Sequence, residues 1–140
     1  MACLEVIKAK GHPNIKASHR TTFEVTKESF LTLRGDCIIG VSADKAAFDL
    51  SEEFKECLRK ESSTLLVVLE VEEIRDFIQA KGHPDLLLCD RSRVIVRKSN
   101  YIEPATIGLM ANKAAQDIDR ELIARLKDPL ATLSVVLICY

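Results

Sequence analysis

Apolar and polar positions alternate along residues 15–26. Ile15, Ala17, His19, Thr21, Phe23 and Val25 fall on one side, and Lys16, Ser18, Arg20, Thr22, Glu24 and Thr26 on the other. A period of two predicts a long half-buried strand. Residues 86–98 keep the same register, with Leu86, Leu88, Asp90, Ser92, Val94 and Val96 on the inner side. Residues 64–71 and 132–139 are apolar runs of strand length, and residues 37–43 and 105–111 are shorter β-prone runs. The period then lengthens. Ala47, Leu50, Phe54 and Leu58 form one helical stripe, and Ala115, Ile118, Leu122 and Leu126 form another. Asp44 and Asn112 are the predicted N-caps. Ile74, Phe77 and Ile78 have helical spacing, but residues 77–82 match residues 6–11, so both are read as strands with Glu72-Glu73 as a turn.

These elements come in two series. Ala9-Lys10-Gly11-His12-Pro13 recurs as Ala80-Lys81-Gly82-His83-Pro84. Residues 37–50 align with residues 105–118 at seven identical positions of fourteen. The offset falls from 71 to 68 residues between the two blocks, so the second series lacks three residues of the loop between Lys27 and Cys37. The expected fold is mainly β (α+β). It is an internally duplicated, pseudo-two-fold antiparallel β-sandwich or barrel with about 8–10 strands flanked by two helices. One compact domain over residues 1–140 would hold repeats of about 1–72 and 73–140.

Composition narrows the function classes. The net charge of −1 provides no field to steer the protein toward nucleic acid or an anionic membrane. The uncharged C-terminal stretch is too short for a bilayer, and no signal-peptide core is visible at the N-terminus, so a cytoplasmic location is expected. The five cysteines form no CxxC pair and no zinc-finger spacing. They read best as small buried apolar residues, with a disulfide left open because intracellular proteins of hyperthermophiles carry them. Asn and Gln occur only five times together, which hints at a heat-adapted source.

Gly11-His-Pro-Asn-Ile15, residues 19–27 (HRTTFEVTK), residues 34–46 (RGDCIIGVSADKA) and residues 95–99 (IVRKS) resemble the archaeal family known as domain of unknown function 371. The resemblance covers nearly the whole chain. It implies an archaeal source and a mainly β, sandwich-like fold, and it implies no activity and no site residues. Asp90-Arg91-Ser92-Arg93 departs from the more neutral stretch expected there.

Five constellations bear chemistry. Lys45 and Lys113 fall in the first turn of the predicted helices, where a lysine and unpaired backbone N–H groups together would hold a small anion such as a phosphate; Arg34 is a further ligand-binding candidate. His19 and Asp90 occupy equivalent inner positions and, if they met, would make a general base for a hydrolase, with Asp36 as a third member. His12 and His83 are weak metal candidates that serve equally as fixed bends before proline. Arg34-Gly35-Asp36 lies in the loop present in one series only, which symmetry does not explain. Arg91, Arg93 and Arg97 with Lys98 form an outer stripe able to follow a phosphate backbone, although nucleic-acid binding is disfavoured by the charge balance. No cofactor is predicted. A small anionic ligand is the first expectation for a partner, and a homo-oligomer formed by free strand edges is another.

Overall fold

The computed structural model describes residues 2–140. The chain runs β1 (Cys3–Lys10), β2 (Thr22–Thr26), β3 (Ile38–Gly40), α1 (Glu52–Leu58), β4 (Thr64–Val71), β5 (Ile74–Lys81), β6 (Arg93–Arg97), β7 (Thr106–Gly108), α2 (Arg120–Arg125) and β8 (Thr132–Cys139). A 3-10 turn precedes each helix, at Ala47–Asp49 and Ala115–Asp117. Among the described residues eight strands make two four-stranded sheets, ordered β1-β8-β4-β5 and β3-β2-β6-β7. The fold is therefore mainly β with two helices. Among the described residues no helix is long and apolar enough to cross a membrane.

The first sheet is antiparallel throughout. The second is not. β2 and β6 pair antiparallel at its centre, while β3 runs parallel to β2 and β7 parallel to β6. This corrects the expectation of an antiparallel fold. Each parallel pair is closed by the long loop after β2 or β6, which brings the chain back to run beside the strand it left. Neither sheet closes on itself; isolated bridges from Lys10 to Val41 and from Lys81 to Leu109 join their margins.

The strands predicted over residues 15–26 and 86–98 are shortened to β2 and β6. Ala17 and Leu88 explain it, because both adopt left-handed backbone, with φ of 48° and 51°. That conformation interrupts a strand and turns the chain. Upstream of it Ile15 and Leu86 are buried, as the alternation required, but Thr21 is exposed and Thr22 buried, so the inner register does not carry through.

The helical stripes are buried as expected, with Phe54, Leu58, Leu122 and Leu126 inaccessible to solvent. α1 packs on β1 and β8, and α2 on β5 and β4. The caps differ from the prediction. Ser51 caps α1 by accepting from the Phe54 N–H, and Asp119 caps α2 by accepting from the Glu121 and Leu122 N–H groups. Asp44 and Asn112 lie upstream of the 3-10 turns and satisfy strand edges instead. Asp44 Oδ1 accepts from Lys8 N at 2.9 Å while its own N–H donates to the Lys8 carbonyl, and Asn112 repeats both bonds on Gln79. A carboxylate or amide thus supplies the acceptor that a neighbouring strand would have offered.

Gly11 and Gly82 begin the segments that dock on the helix ends. The His12 N–H donates to the Leu126 carbonyl at 2.8 Å and the His83 N–H to the Leu58 carbonyl at 2.9 Å. Each helix thereby has an orphan C-terminal carbonyl satisfied from a distant part of the chain. Basic side chains complete the joint: Lys127 Nζ donates to the Ile15 carbonyl, and Arg59 donates to the carbonyls of Leu86 and Leu87. Cys57 of α1 is disulfide-bonded to Cys139 of β8 across 82 residues, with Cα atoms 6.2 Å apart. Of the two readings left open for the cysteines, these two are therefore paired, while Cys3, Cys37 and Cys89 are free thiols.

Candidate functional site

Lys45 and Lys113 are each matched by a carboxylate on an adjoining strand. Lys45 Nζ lies 2.7 Å from Glu5 of β1, and Lys113 Nζ 2.5 Å from Asp76 of β5. The second oxygen of each carboxylate accepts the backbone N–H of a helix N-cap, Ser51 at 2.7 Å and Asp119 at 2.8 Å. The anion that a helix N-terminus favours is therefore an internal side chain at both places. Burial alone would raise the pKa of Glu5 and of Asp76, but the lysine bonds and the backbone N–H donors hold both below the ordinary carboxylate range.

A depressed folded pKa favours folding where the carboxylate is ionised, above pH ~4, and that contribution disappears as pH falls through the lower folded values. A Glu5→Gln, Asp76→Asn double variant is expected to be less stable than the parent at neutral pH. The gap should close on acidification below pH ~3, where the parent's carboxylates are protonated too. Urea midpoints across that range check it; a gap independent of pH would refute the assignment.

His19 and Asp90 do the same work at equivalent positions, but separately. His19 Nδ1 accepts from the N–H groups of Thr21 and Thr22 at 3.2 and 3.1 Å. Asp90 Oδ1 accepts from Ser92 and Arg93, both at 2.8 Å. The His19 carbonyl receives the Gln116 N–H and the Asp90 carbonyl the Phe48 N–H. Each side chain closes the turn that leads into its strand, and no ion pair joins them among the described residues. The structure does bring His19 to the loop of residues 34–36, because the Asp36 carbonyl accepts from Ser18 and His19 N–H at 2.9 and 3.1 Å. Arg34 is exposed on the same loop.

His12 and His83 cap turns as well, their Nδ1 atoms accepting from Asn14 and Asp85 at 3.0 Å. They lie against different helices. No group of three His, Cys, Asp or Glu side chains suited to a metal occurs among the described residues.

The outer stripe of arginines is absorbed internally. Arg91 lies 4.1 Å from the Phe48 ring centre and Arg97 4.9 Å from that of Tyr101. Lys98 pairs with Asp117 at 2.8 Å, as Lys27 pairs with Asp49. Arg93 is the hub of a cluster that the strand pattern only half revealed. Its guanidinium reaches Asp90 at 3.1 Å, Glu103 at 3.4 Å and Glu24 at 3.7 Å. Burial pushes Glu24 above the usual carboxylate range despite Arg93. Asp90 is held below its usual range: burial alone would raise it, but the N–H groups of Ser92 and Arg93 and the Arg93 guanidinium outweigh that. Cys37, whose thiol donates to Glu24, is pushed up to about 12, by burial first and then by the charges of Glu24 and Asp36. Glu24 and Glu103 were missed because they meet Arg93 from outside its own strand, which spacing along the chain does not announce. The alternation that put Glu24 on the outer side of β2 with Arg93 on the neighbouring strand was the available signal. The cluster is a charge network in which each group meets an opposite partner, so it resembles a brace over β2 and β6 more than a vacant site.

A shallow pocket of about 190 Å³ lies elsewhere, lined by Gln79, Ala80, Lys81, Met110 and Asn112 at the β5 margin. It contains none of the candidate residues of the sequence.

The family model described as domain of unknown function (DUF371) matches residues 7–140. An uncharacterized protein of Methanocaldococcus jannaschii is 52% identical over 123 residues, which cover 88% of this chain and 90% of that protein. The chain belongs to the DUF371 family.

Proposed function

We propose that this DUF371 member is an assembly-forming protein, two copies of which meet through the outer face of the β1-β8-β4-β5 sheet. The observation that carries the reading is the composition of that face. Ladder register sets Leu4, Ile138 and Leu66 in one row and Val6, Val136, Val68 and Phe77 in the next. Leu4 is 65% and Phe77 54% exposed. With Gln79 completing the first row, eight adjoining positions on four strands carry no charge. A contiguous apolar patch of this kind is a usual mark of an interface.

Area and symmetry favour a second copy as the occupant. Four strands at ~4.8 Å spacing and eight residues at ~3.3 Å each give roughly 500 Å² of projected face. The uncharged rows take up about half of it, roughly 250 Å², so an interface near the standard ~800 Å² per partner would also enlist the flanking polar rows that carry Lys8, Glu70 and Arg75. We read the chain as one unit used twice, about 1–72 and 73–140, with an approximate two-fold axis between Val68 and Val136. On this reading the two sheets and their margin bridges make a sandwich with barrel-like corners. A sheet face with an uncharged centre suits self-association about a two-fold axis, as a closed dimer requires. Edge-to-edge pairing is the weaker route, because Asp44 and Asn112 already occupy the outer edges of β1 and β5.

The ligand-binding and hydrolase readings find less support. Their residues Lys45, Lys113 and Asp90 already meet partners inside the fold, as does Nδ1 of His19. Light scattering on the intact chain tests the proposal. The parent should have the mass of a dimer, and Val68→Arg should raise the dissociation constant by ~100-fold or more with an unchanged circular dichroism spectrum. Phe77→Lys at the neighbouring position should act in the same direction. A parent protein that is monomeric at all concentrations, or a dimer indifferent to both changes, would sink the reading.

A further inference from the structure

We propose that Cys3, Cys57 and Cys139 form an internal thiol–disulfide exchange site, in which the Cys3 thiol is the nucleophile that opens the buried Cys57–Cys139 bond. The inference is independent of the assembly reading and rests on where the third sulfur sits. Cys3 is the direct partner of Cys139 in the β1–β8 ladder. Opposed residues of an antiparallel pair project to the same face, with Cβ atoms ~4.5–5.5 Å apart. Bridged cysteines need ~3.5–4.5 Å, so a small movement of β1 joins them. Cys3 also touches the helix that carries the other half of the disulfide. Its Sγ lies 4.0 Å from both the carbonyl oxygen and Oε1 of Glu53. Glu53 is four residues before Cys57, on the same face of α1. Cys3 thus stands where β1, β8 and α1 converge, opposite Cys139 and one helical turn from Cys57.

Accessibility gives the three sulfurs different roles. Cys57 is 5% exposed and Cys139 fully buried, so a reagent in solution does not meet the disulfide directly. Cys3 is half-exposed near the start of an edge strand.

The exchange step balances within the chain. The Cys3 thiol gives its proton to water, and the thiolate attacks Sγ of Cys139. The Cys139–Cys57 bond breaks as the Cys3–Cys139 bond forms, and Cys57 leaves as a thiolate that takes a proton from water. One disulfide is consumed and one made, so no oxidant is required. The structural effect is directional. A Cys57–Cys139 bond ties α1 to the sheet, whereas a Cys3–Cys139 bond ties together two strands already paired and leaves α1 held by packing alone.

Tryptic cleavage separates the three sulfurs, since Lys8, Lys55, Arg59 and Lys127 place Cys3, Cys57 and Cys139 in different peptides. The unreduced intact protein is pulsed with iodoacetamide at mildly alkaline pH and mapped without reductant. The parent should yield a minor Cys3–Cys139-linked peptide together with alkylated Cys57. Cys3→Ser should slow Cys57 alkylation by ~10-fold or more, an effect expected only if Cys3 is the attacking thiol. Oxidised Cys57→Ser should form the Cys3–Cys139 bond outright, which keeps the test decisive if the parent equilibrium lies far to one side. Equal Cys57 labelling with and without Cys3, or two unjoined thiols in Cys57→Ser, overturns the proposal.

Discussion

Gly82→Ala is expected to lower the unfolding free energy by about 3 kcal/mol, and Gly11→Ala by a similar amount. A Cβ on Gly82 would land on the Leu58 carbonyl oxygen and on Ser63 Oγ, well inside the 3.0 Å that real Cβ atoms keep. One on Gly11 would land on the carbonyl oxygens of Leu126 and Asp128. Apart from Ser63 Oγ these obstacles are backbone carbonyls at or just beyond a helix end, and those of Leu58 and Leu126 are pinned by the hydrogen bonds from His83 and His12. Relief would require pulling the segment off the helix, which uncovers the Leu58 or Leu126 carbonyl. Gly35→Ala is the control, because its Cβ meets only the side-chain methyls of Leu31 and Ile38 at close range, and these can rotate. Urea unfolding gives the comparison through the midpoint at constant slope. A loss below ~1 kcal/mol at Gly82 would mean that the close approach is not maintained in solution.

That result bears on what the repeated Gly-His-Pro means. From the sequence it was a pair of fixed bends or a weak metal site; in the structure glycine provides room for a helix end, and histidine contributes a backbone donor outward and a ring acceptor to its own turn. Local pattern read well wherever the cause was local. The runs at Thr64–Val71 and Thr132–Cys139 are strands with those bounds, and the helical stripes are buried. What escaped had distant causes. Glu5 and Asp76 meet lysines 40 and 37 residues away, and nothing in the spacing announces either pair. Their only trace was placement: each is an acid at an inner position of an alternating strand, 71 residues apart. The left-handed residues Ala17 and Leu88 escaped for another reason. Neither is a residue type that advertises positive φ, so the alternation ran straight through them. The parallel course of β3 and β7 was hidden because hydrophobic alternation fixes faces and not strand direction.

Reduction of the Cys57–Cys139 bond is expected to cost roughly 4 kcal/mol, the effect of releasing a loop of 82 residues in the unfolded chain. For a chain of this length that is a fall in Tm on the order of 10–15 °C. α1 shows why the native state would feel it as well. It has seven residues, too few to persist alone in water, and it depends on the Ser51 cap and on Phe54 and Leu58 in the core. α2 has six residues and no crosslink, but Asp119 caps it twice and Asp76 receives the Asp119 N–H. The disulfide therefore strengthens one of two otherwise similar joints, and its loss should loosen α1 before α2. Thermal unfolding of the intact protein with and without dithiothreitol measures the cost, and amide exchange resolved along the chain reads the order of loosening. A Cys57→Ala, Cys139→Ala variant should match the reduced parent and respond no further to reductant, whereas Cys3→Ser, reduced while unfolded and then refolded, should show the full loss. If reductant shifts the double variant as much as the parent, the crosslink is not the origin of the effect; if it shifts neither, the crosslink carries no stability and α1 is held by its core side chains alone.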